Sequence, residues 1–263
     1  MTCNNLAALL RSDSGHMQEA EDLYREALAI RRKLAAENPT RYNGELASTC
    51  NSFGILLSDT DREKEAEALY REALVIYRGL AAQNPAQYNG DLAGICNNLG
   101  NLLRNTDREK EAESLYREAL AIYRGLAVEN PTRYNGKLAM ICDNLGDLLH
   151  NTDQIEEAES LYREALVIYR ELATLKPVQY NDNVLLLIIS LIPILRDSGR
   201  TEEAEKLRHE AVTIIEKVLD STPAQENAEP ADIDTEPSQT NRVGAFFKKL
   251  VIALAKLLKK LHM

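Results

Sequence analysis

Between residues 91 and 136 the apolar positions fall into two stripes. Leu92, Ile95, Cys96, Leu99, Leu102 and Leu103 recur at three- and four-residue spacing, which predicts an amphipathic helix over the first dozen residues. Asn105-Thr106-Asp107 reads as a turn, with Thr106 or Asp107 as the N-cap of the next helix. A second stripe, Ala112, Leu115, Tyr116, Ala119, Leu120, Tyr123 and Leu126, predicts a helix of about twenty residues, near 30 Å long. Pro131 stops that helix and pushes Asn130 out of the helical region. Tyr134-Asn135-Gly136 then reads as a turn whose glycine supplies a positive φ.

The whole pattern recurs. Ser-Leu-Tyr-Arg-Glu-Ala-Leu at 114–120 returns at 160–166, and with one change at 68–74 and 22–28. Asn-Pro-x-x-Tyr-Asn-Gly stands at 38–44, 84–90 and 130–136, with Lys-Pro-x-x-Tyr-Asn-Asp at 176–182. Cysteines stand at 3, 50, 96 and 142, and one extra residue near Ser14-Gly15 lengthens the first interval. The units are therefore about 1–44, 45–90, 91–136, 137–182 and a diverged 183–219. A helix–turn–helix of this size cannot bury its apolar face alone, and stacked copies can, so the expected fold is an all-α solenoid. The first helix opens at Met1 with no cap before it, which leads us to expect chain upstream of the sequence in hand.

Within each unit a small residue is followed at fixed spacing by Ala, Tyr and Ala: Gly54, Ala66, Tyr70, Ala73; Gly100, Ala112, Tyr116, Ala119; Gly146, Ala158, Tyr162, Ala165; and Ala7, Ala20, Tyr24, Ala27. This set resembles the tetratricopeptide repeat. The 46-residue period, Asn97-Asn98-Leu99-Gly100 and Glu111-Ala112-Glu113 are similar to the long-repeat, kinesin-light-chain class of that family. Two features depart from it: cysteine stands where the family has a large residue early in the first helix, and the coiled-coil segment that precedes the repeats in kinesin light chains is missing. The resemblance covers residues 1–219 and implies a right-handed superhelix whose first helices line a concave groove. It implies a protein-binding module, and says little about which partner.

Candidate chemistry is sparse. The cysteines occupy one helix position in successive units, with neither a Cys-x-x-Cys pair nor a histidine at ligand spacing, so they read as reduced core residues suited to the cytoplasm. All 11 tyrosines fall in three columns at the repeat period, which is a packing pattern. The four histidines, 16, 150, 209 and 262, form no constellation, and glycine-rich phosphate loops, metalloprotease and calcium-loop motifs are missing. We expect no catalytic site, no metal and no cofactor. Residues 1–219 carry a charge of −10, residues 220–241 carry −6 and residues 242–263 carry +6. An acidic body with a basic end is not the footprint of a nucleic-acid reader. The N-terminus lacks the basic start and apolar run of a secretory signal, and no uncharged run exceeds the length of Asn183–Leu195, which is too short to span a bilayer.

Three features point to function. On the non-apolar side of the first helices stand Asn4, Asn5, Asn51, Asn97, Asn98, Asn101, Asp143, Asn144 and Asp147. Asparagine is a poor helix former, so its recurrence there needs a reason: pairing with the backbone of an extended peptide, bonding between adjacent repeats, or simple solvation. Arg104 is the sole base we assign to this side in the middle repeats, so a neutral-to-acidic groove for a polar or basic segment is expected. The fifth unit is nearly all apolar at 184–189, Pro193 interrupts its first helix, and Ile192 and Arg208 replace the glycine and tyrosine. This leaves it as an atypical terminal repeat, covered by later chain or exposed as a contact patch.

Residues 220–242 hold three prolines and six acids and read as an acidic disordered tether. In 243–263, Lys248, Lys249, Lys256, Lys259 and Lys260 share a ~120° arc. Phe246, Phe247, Leu250, Val251, Leu254, Leu257, Leu258 and Leu261 fill the opposite side. This cationic amphipathic pattern suits an anionic membrane surface on the cytoplasmic side, docking onto the chain's own last repeat, or a second copy. The function expected is a non-enzymatic adaptor that binds a protein or peptide in its groove, with the basic segment as a peripheral membrane anchor. The rival expectation is a structural or oligomerising module whose tail caps or inhibits its own last repeat.

Overall fold

The computed structural model describes residues 16–221. The expected linker beyond Ser221, the helix over 243–263 with its Phe246–Lys260 site residues, and Cys3, Asn4, Asn5 and Ala7 lie outside the described residues. Among those described, every regular element is helical: α1 Met17–Glu37, α2 Pro39–Ser58, α3 Glu63–Gln83, α4 Pro85–Arg104, α5 Glu109–Glu129, α6 Pro131–Asn151, α7 Ile155–Leu175, α8 Pro177–Asp197 and α9 Thr201–Ser221. The even-numbered helices are the first helices of repeats two to five. The chain divides into two compact units, Met1–Leu161 and Tyr162–Met263.

The junction between repeats differs from the expected turn. Asn38, Asn84 and Asn130 each end one helix and start the next. The backbone N–H of Asn84 still bonds Leu80, while its side-chain oxygen accepts from the N–H of Gln87. Proline follows at the first helical position, where its fixed φ and missing N–H cost nothing. The Tyr-Asn-Gly triplet is therefore helical, and the first helices run 20–21 residues rather than a dozen. Its glycines serve packing instead. A β-carbon on Gly44 would lie 3.4 Å from the Tyr88 ring, and one on Gly90 3.3 Å from the Tyr134 hydroxyl. The third and fourth repeats thus each seat a tyrosine on the glycine of the repeat before.

The corner within each repeat also departs from expectation. Asp61, Asp107 and Asp153 have φ between 56° and 58°, and Gly199 takes 75° at the equivalent place. Aspartate tolerates this left-handed conformation better than most residues. Thr106 does not cap the following helix. Its hydroxyl donates back to the carbonyls of Leu102 and Leu103, and the N–H of Arg108 bonds Leu103, which closes the first helix. Arg108, without a side-chain cap bond, is the N-cap of α5.

Inside the second and third repeats a glycine admits a ring. A β-carbon on Gly54 would stand 2.5 Å from the Tyr70 ring, and one on Gly100 2.6 Å from the Tyr116 ring, which is fully buried. In the fifth repeat both partners change. Ile192 is fully buried in the glycine's place, and Arg208, in the tyrosine's, turns to Glu205 at 2.6 Å. Pro193 does not interrupt α8; it sits exposed within a continuous helix. By length and composition α8 is able to cross a membrane, although its uncharged run is short. Val184, Leu185, Leu187, Ile188, Leu191, Ile192, Ile194 and Leu195 are nevertheless buried in the fold, so the composition reflects core packing; Leu186 remains 47% exposed.

Cys50, Cys96 and Cys142 are free thiols and fully buried. Burial pushes Cys50 and Cys96 up to about 12, and the carboxylates of Glu72 and Glu118 beside them push the same way. Only a thiolate alkylates readily. Native protein should therefore resist iodoacetamide at pH 8 at these three positions and react with it in urea. Modification of Cys96 without unfolding would show that this seam opens.

Candidate binding face on the first helices

The face expected to bind a partner is built, within the first unit, from α2, α4 and α6. Asn51, Asn97 and Asp143 occupy one register of these helices, and Asn98 and Asn144 the next. The amides bond across repeats. Asn98 Nδ2 donates to Asn51 Oδ1 at 2.9 Å, and Asn144 Nδ2 donates to Asn97 Oδ1 at 2.8 Å. Asn97, 5% exposed, also donates to Asn98 Oδ1 at 3.4 Å. Asn101 Oδ1 accepts from the Tyr116 hydroxyl at 2.6 Å, tying the face to the buried ring beneath. The ladder therefore holds adjacent first helices in register. Each amide has two N–H groups and two lone pairs, so the partly exposed Asn51, Asn98 and Asn144 keep bonding capacity outward.

At its α6 end the face becomes acidic. Arg104 reaches Asp147 at 3.6 Å. Asp143, one turn before Asp147, accepts no hydrogen bond from a described side chain. Burial pushes its acid up to about 7, Asp147 adds to the rise, and Arg104 opposes it. The structure thus brings Asn51, Asn97, Asn98, Asn101, Arg104, Asp143, Asn144 and Asp147 onto one contiguous face. Among the described residues, no group of His, Cys, Asp and Glu is arranged to hold a metal ion.

The second helices carry a network that our sequence reading did not include. Arg32 pairs with Glu72, Arg78 with Glu118 and Arg170 with Glu210, each at 2.5 Å. A parallel line joins Arg71 to Glu111, Arg117 to Glu157 and Arg163 to Glu203. Around Arg71 the line closes into a ring: Glu67 accepts from Arg71 at 2.8 Å and from Arg108 at 2.7 Å, and Arg108 returns to Glu111. Burial raises Glu67, but the two arginines outweigh it and hold the acid below its ordinary value. Every rung links an arginine to a glutamate 40 residues on. That spacing was available in the sequence as the 46-residue period shortened by six. These pairs are part-exposed, worth at most about 1 kcal/mol each, and they align the repeats more than they stabilise them.

No curated protein matches the sequence significantly. Solved structures share its fold. BtubC (BKLC) from P. vanneervenii is 24% identical, with a TM-score of 0.64 over 87% of this chain and 85% of that one. A protein of nearly identical TPR-like repeats from Podosopora anserina, assigned as a kinesin light chain, is 18% identical. Its TM-score is 0.60, over 83% of this chain and 95% of that one. The tetratricopeptide repeat model matches residues 1–39, 46–81, 92–130 and 138–173. With matched segments over more than half its length, and a described structure built of the same helix pairs, the chain belongs to the tetratricopeptide repeat family.

Proposed function

We propose that this chain is a protein-interaction scaffold whose first-helix face takes an extended segment carrying a basic side chain. Tetratricopeptide arrays are generally non-enzymatic interaction scaffolds, which supports the broader part of this reading. The observation that carries the finer part is the orphan carboxyl of Asp143 at the end of the Asn ladder. A carboxyl buried there without a hydrogen bond from a described residue is poorly solvated once ionised, and a lysine or arginine from a partner would compensate the charge. The outward amide groups of Asn98 and Asn144 would meet the partner's backbone.

Fluorescence polarisation with a lysine-containing peptide and its acidic counterpart tests this. The basic peptide should bind more tightly at pH 8 than at pH 6, because ionisation of Asp143 favours the cation. Asp143→Asn should weaken it by about tenfold while the chain stays folded, equivalent to about 1.4 kcal/mol. Preference for a C-terminal acidic tail would refute the reading.

A further inference from the structure

One turn before Asn98, the line of polar residues on α4 gives way to glycine. Gly90, Gly94, Asn98 and Asn101 follow one another at three- and four-residue spacing and are all partly exposed. Glycine inside a helix is unfavourable, so both positions need a reason. Gly90 makes room for the Tyr134 ring. Gly94 has no such duty in the repeat pattern, because its position is Ser48 in the second repeat, Met140 in the fourth and Leu186 in the fifth.

Beneath the two glycines lie two phenol hydroxyls. A β-carbon on Gly94 would meet one atom within 4 Å, the Tyr123 hydroxyl at 3.7 Å, just as one on Gly90 would meet that of Tyr134. Tyr123 is 1% exposed and Tyr134 8%. Among the described residues neither hydroxyl has a hydrogen-bond partner. The equivalent phenol one repeat earlier, Tyr77, has the Ser48 hydroxyl as its partner, and glycine at 94 takes that partner away. A buried hydroxyl left unpaired is unfavourable and asks for a partner from elsewhere. Opposite charges flank the gap. Asp91 stands beside Gly90 on α4, and Lys137 of α6 puts its ammonium 5.9 Å from the centroid of each ring. Lys137 acts on the Asp91 carboxyl from a distance, but among the described residues the two close no ion pair.

We infer that the gap at Gly94 takes the carboxamide of a glutamine or asparagine side chain from the bound segment. The inference rests on the proposed use of this face and gives the segment a second anchor there. A carboxamide presents an acceptor and a donor in one plane: its oxygen takes the Tyr123 O–H, and its NH2 group donates to Asp91. A carboxylate is repelled by Asp91 and an ammonium by Lys137, while an apolar end leaves the hydroxyl and the carboxylate unpaired. The Tyr123 hydroxyl is nearly sealed under the helix, so a side-chain end reaches it and a main chain flanked by its own residues does not.

Backbone amide NMR on the full chain tests this, with N-acetyl-glutamine amide and its glutamate, lysine and methionine counterparts as probes at pH 7. The glutamine probe should shift the amides of Gly90, Asp91 and Gly94 and bind at least about fivefold more tightly than the other three. Gly94→Ser gives Tyr123 the partner that Ser48 gives Tyr77, at ordinary contact distance, and should abolish that preference with the fold intact. Tyr123→Phe should abolish it too, and Gly125→Ala should keep it. Equal binding of the four probes overturns the inference. So does tighter binding of the glutamate or lysine probe, or a glutamine preference that survives both Gly94→Ser and Tyr123→Phe. Asp143→Asn should leave these shifts unchanged, so failure here spares the role proposed for Asp143, and failure of the lysine peptide leaves this test intact.

Discussion

Gly100→Ala should destabilise the array by about 1–3 kcal/mol, although alanine is the better helix former. The new methyl would stand 2.6 Å from Cε1 and 2.9 Å from Cδ1 of Tyr116. That ring cannot step aside, being fully buried with its hydroxyl held by Asn101 at 2.6 Å. Gly125→Ala provides the contrast. It lies on the exposed side of α5 near its last turn, with no atom within 4 Å of a β-carbon, so there the helix preference acts alone. Urea denaturation should show a gain of up to about 1 kcal/mol at 125 against the loss at 100. Gains at both sites would mean that the ring yields, and that the glycine is there for another reason. The fifth repeat has made the paired change already: isoleucine fills the glycine's place only where arginine has replaced the ring.

The second large effect depends on pH. Asp143 has its acid raised to about 7 in the folded chain, by burial first and by Asp147 next, against about 3.9 when unfolded. Between those values the folded state holds the extra proton. Stability from this group therefore falls as pH rises through the window and stays lost above it. Allowing for its partial exposure, the difference is on the order of 2 kcal/mol. The paired glutamates act in the opposite sense. Arg71 holds Glu111 low, and Arg117 holds Glu157 low, so their contribution is present above about pH 4.5 and is lost on acidification. Thermal unfolding of the wild type should peak between about pH 5 and 6 and decline towards pH 8. Asp143→Asn should flatten that decline and unfold at higher temperature at pH 8. Parallel curves for the two proteins would place the carboxyl in water.

The architecture was legible because it is periodic. One repeat's stripes, copied along the chain, give helices, pairing and the buried Tyr and Cys columns. Junctions were misread where one residue type has two uses. Gly136 suggested a turn, but Asn130 and Pro131 have already started the helix, and glycine at this register makes room for a neighbour's ring. Asp107 suggested a cap because aspartate often is one; its side chain instead follows a left-handed backbone set by the closure of α4. The candidate face was legible as a column of asparagines. That they bond one another was one of three readings left open, since a one-helix reading cannot single out a partner 47 residues away. The arginine–glutamate rungs were missed for the same reason.

The sameness of those interfaces bears on how such a chain changes length. The second repeat meets the third through Asn51–Asn98, Gly44–Tyr88 and Arg71–Glu111, and the third meets the fourth through Asn97–Asn144, Gly90–Tyr134 and Arg117–Glu157. Among these three repeats the back of one copy matches the front of the next. Unequal recombination between the coding copies adds or removes whole repeats in frame and leaves each new seam already complementary. The fifth repeat cannot take part, because Asp182 stands where the next tyrosine would need a glycine. Such a lineage grows among its alike repeats, and the fifth stays single.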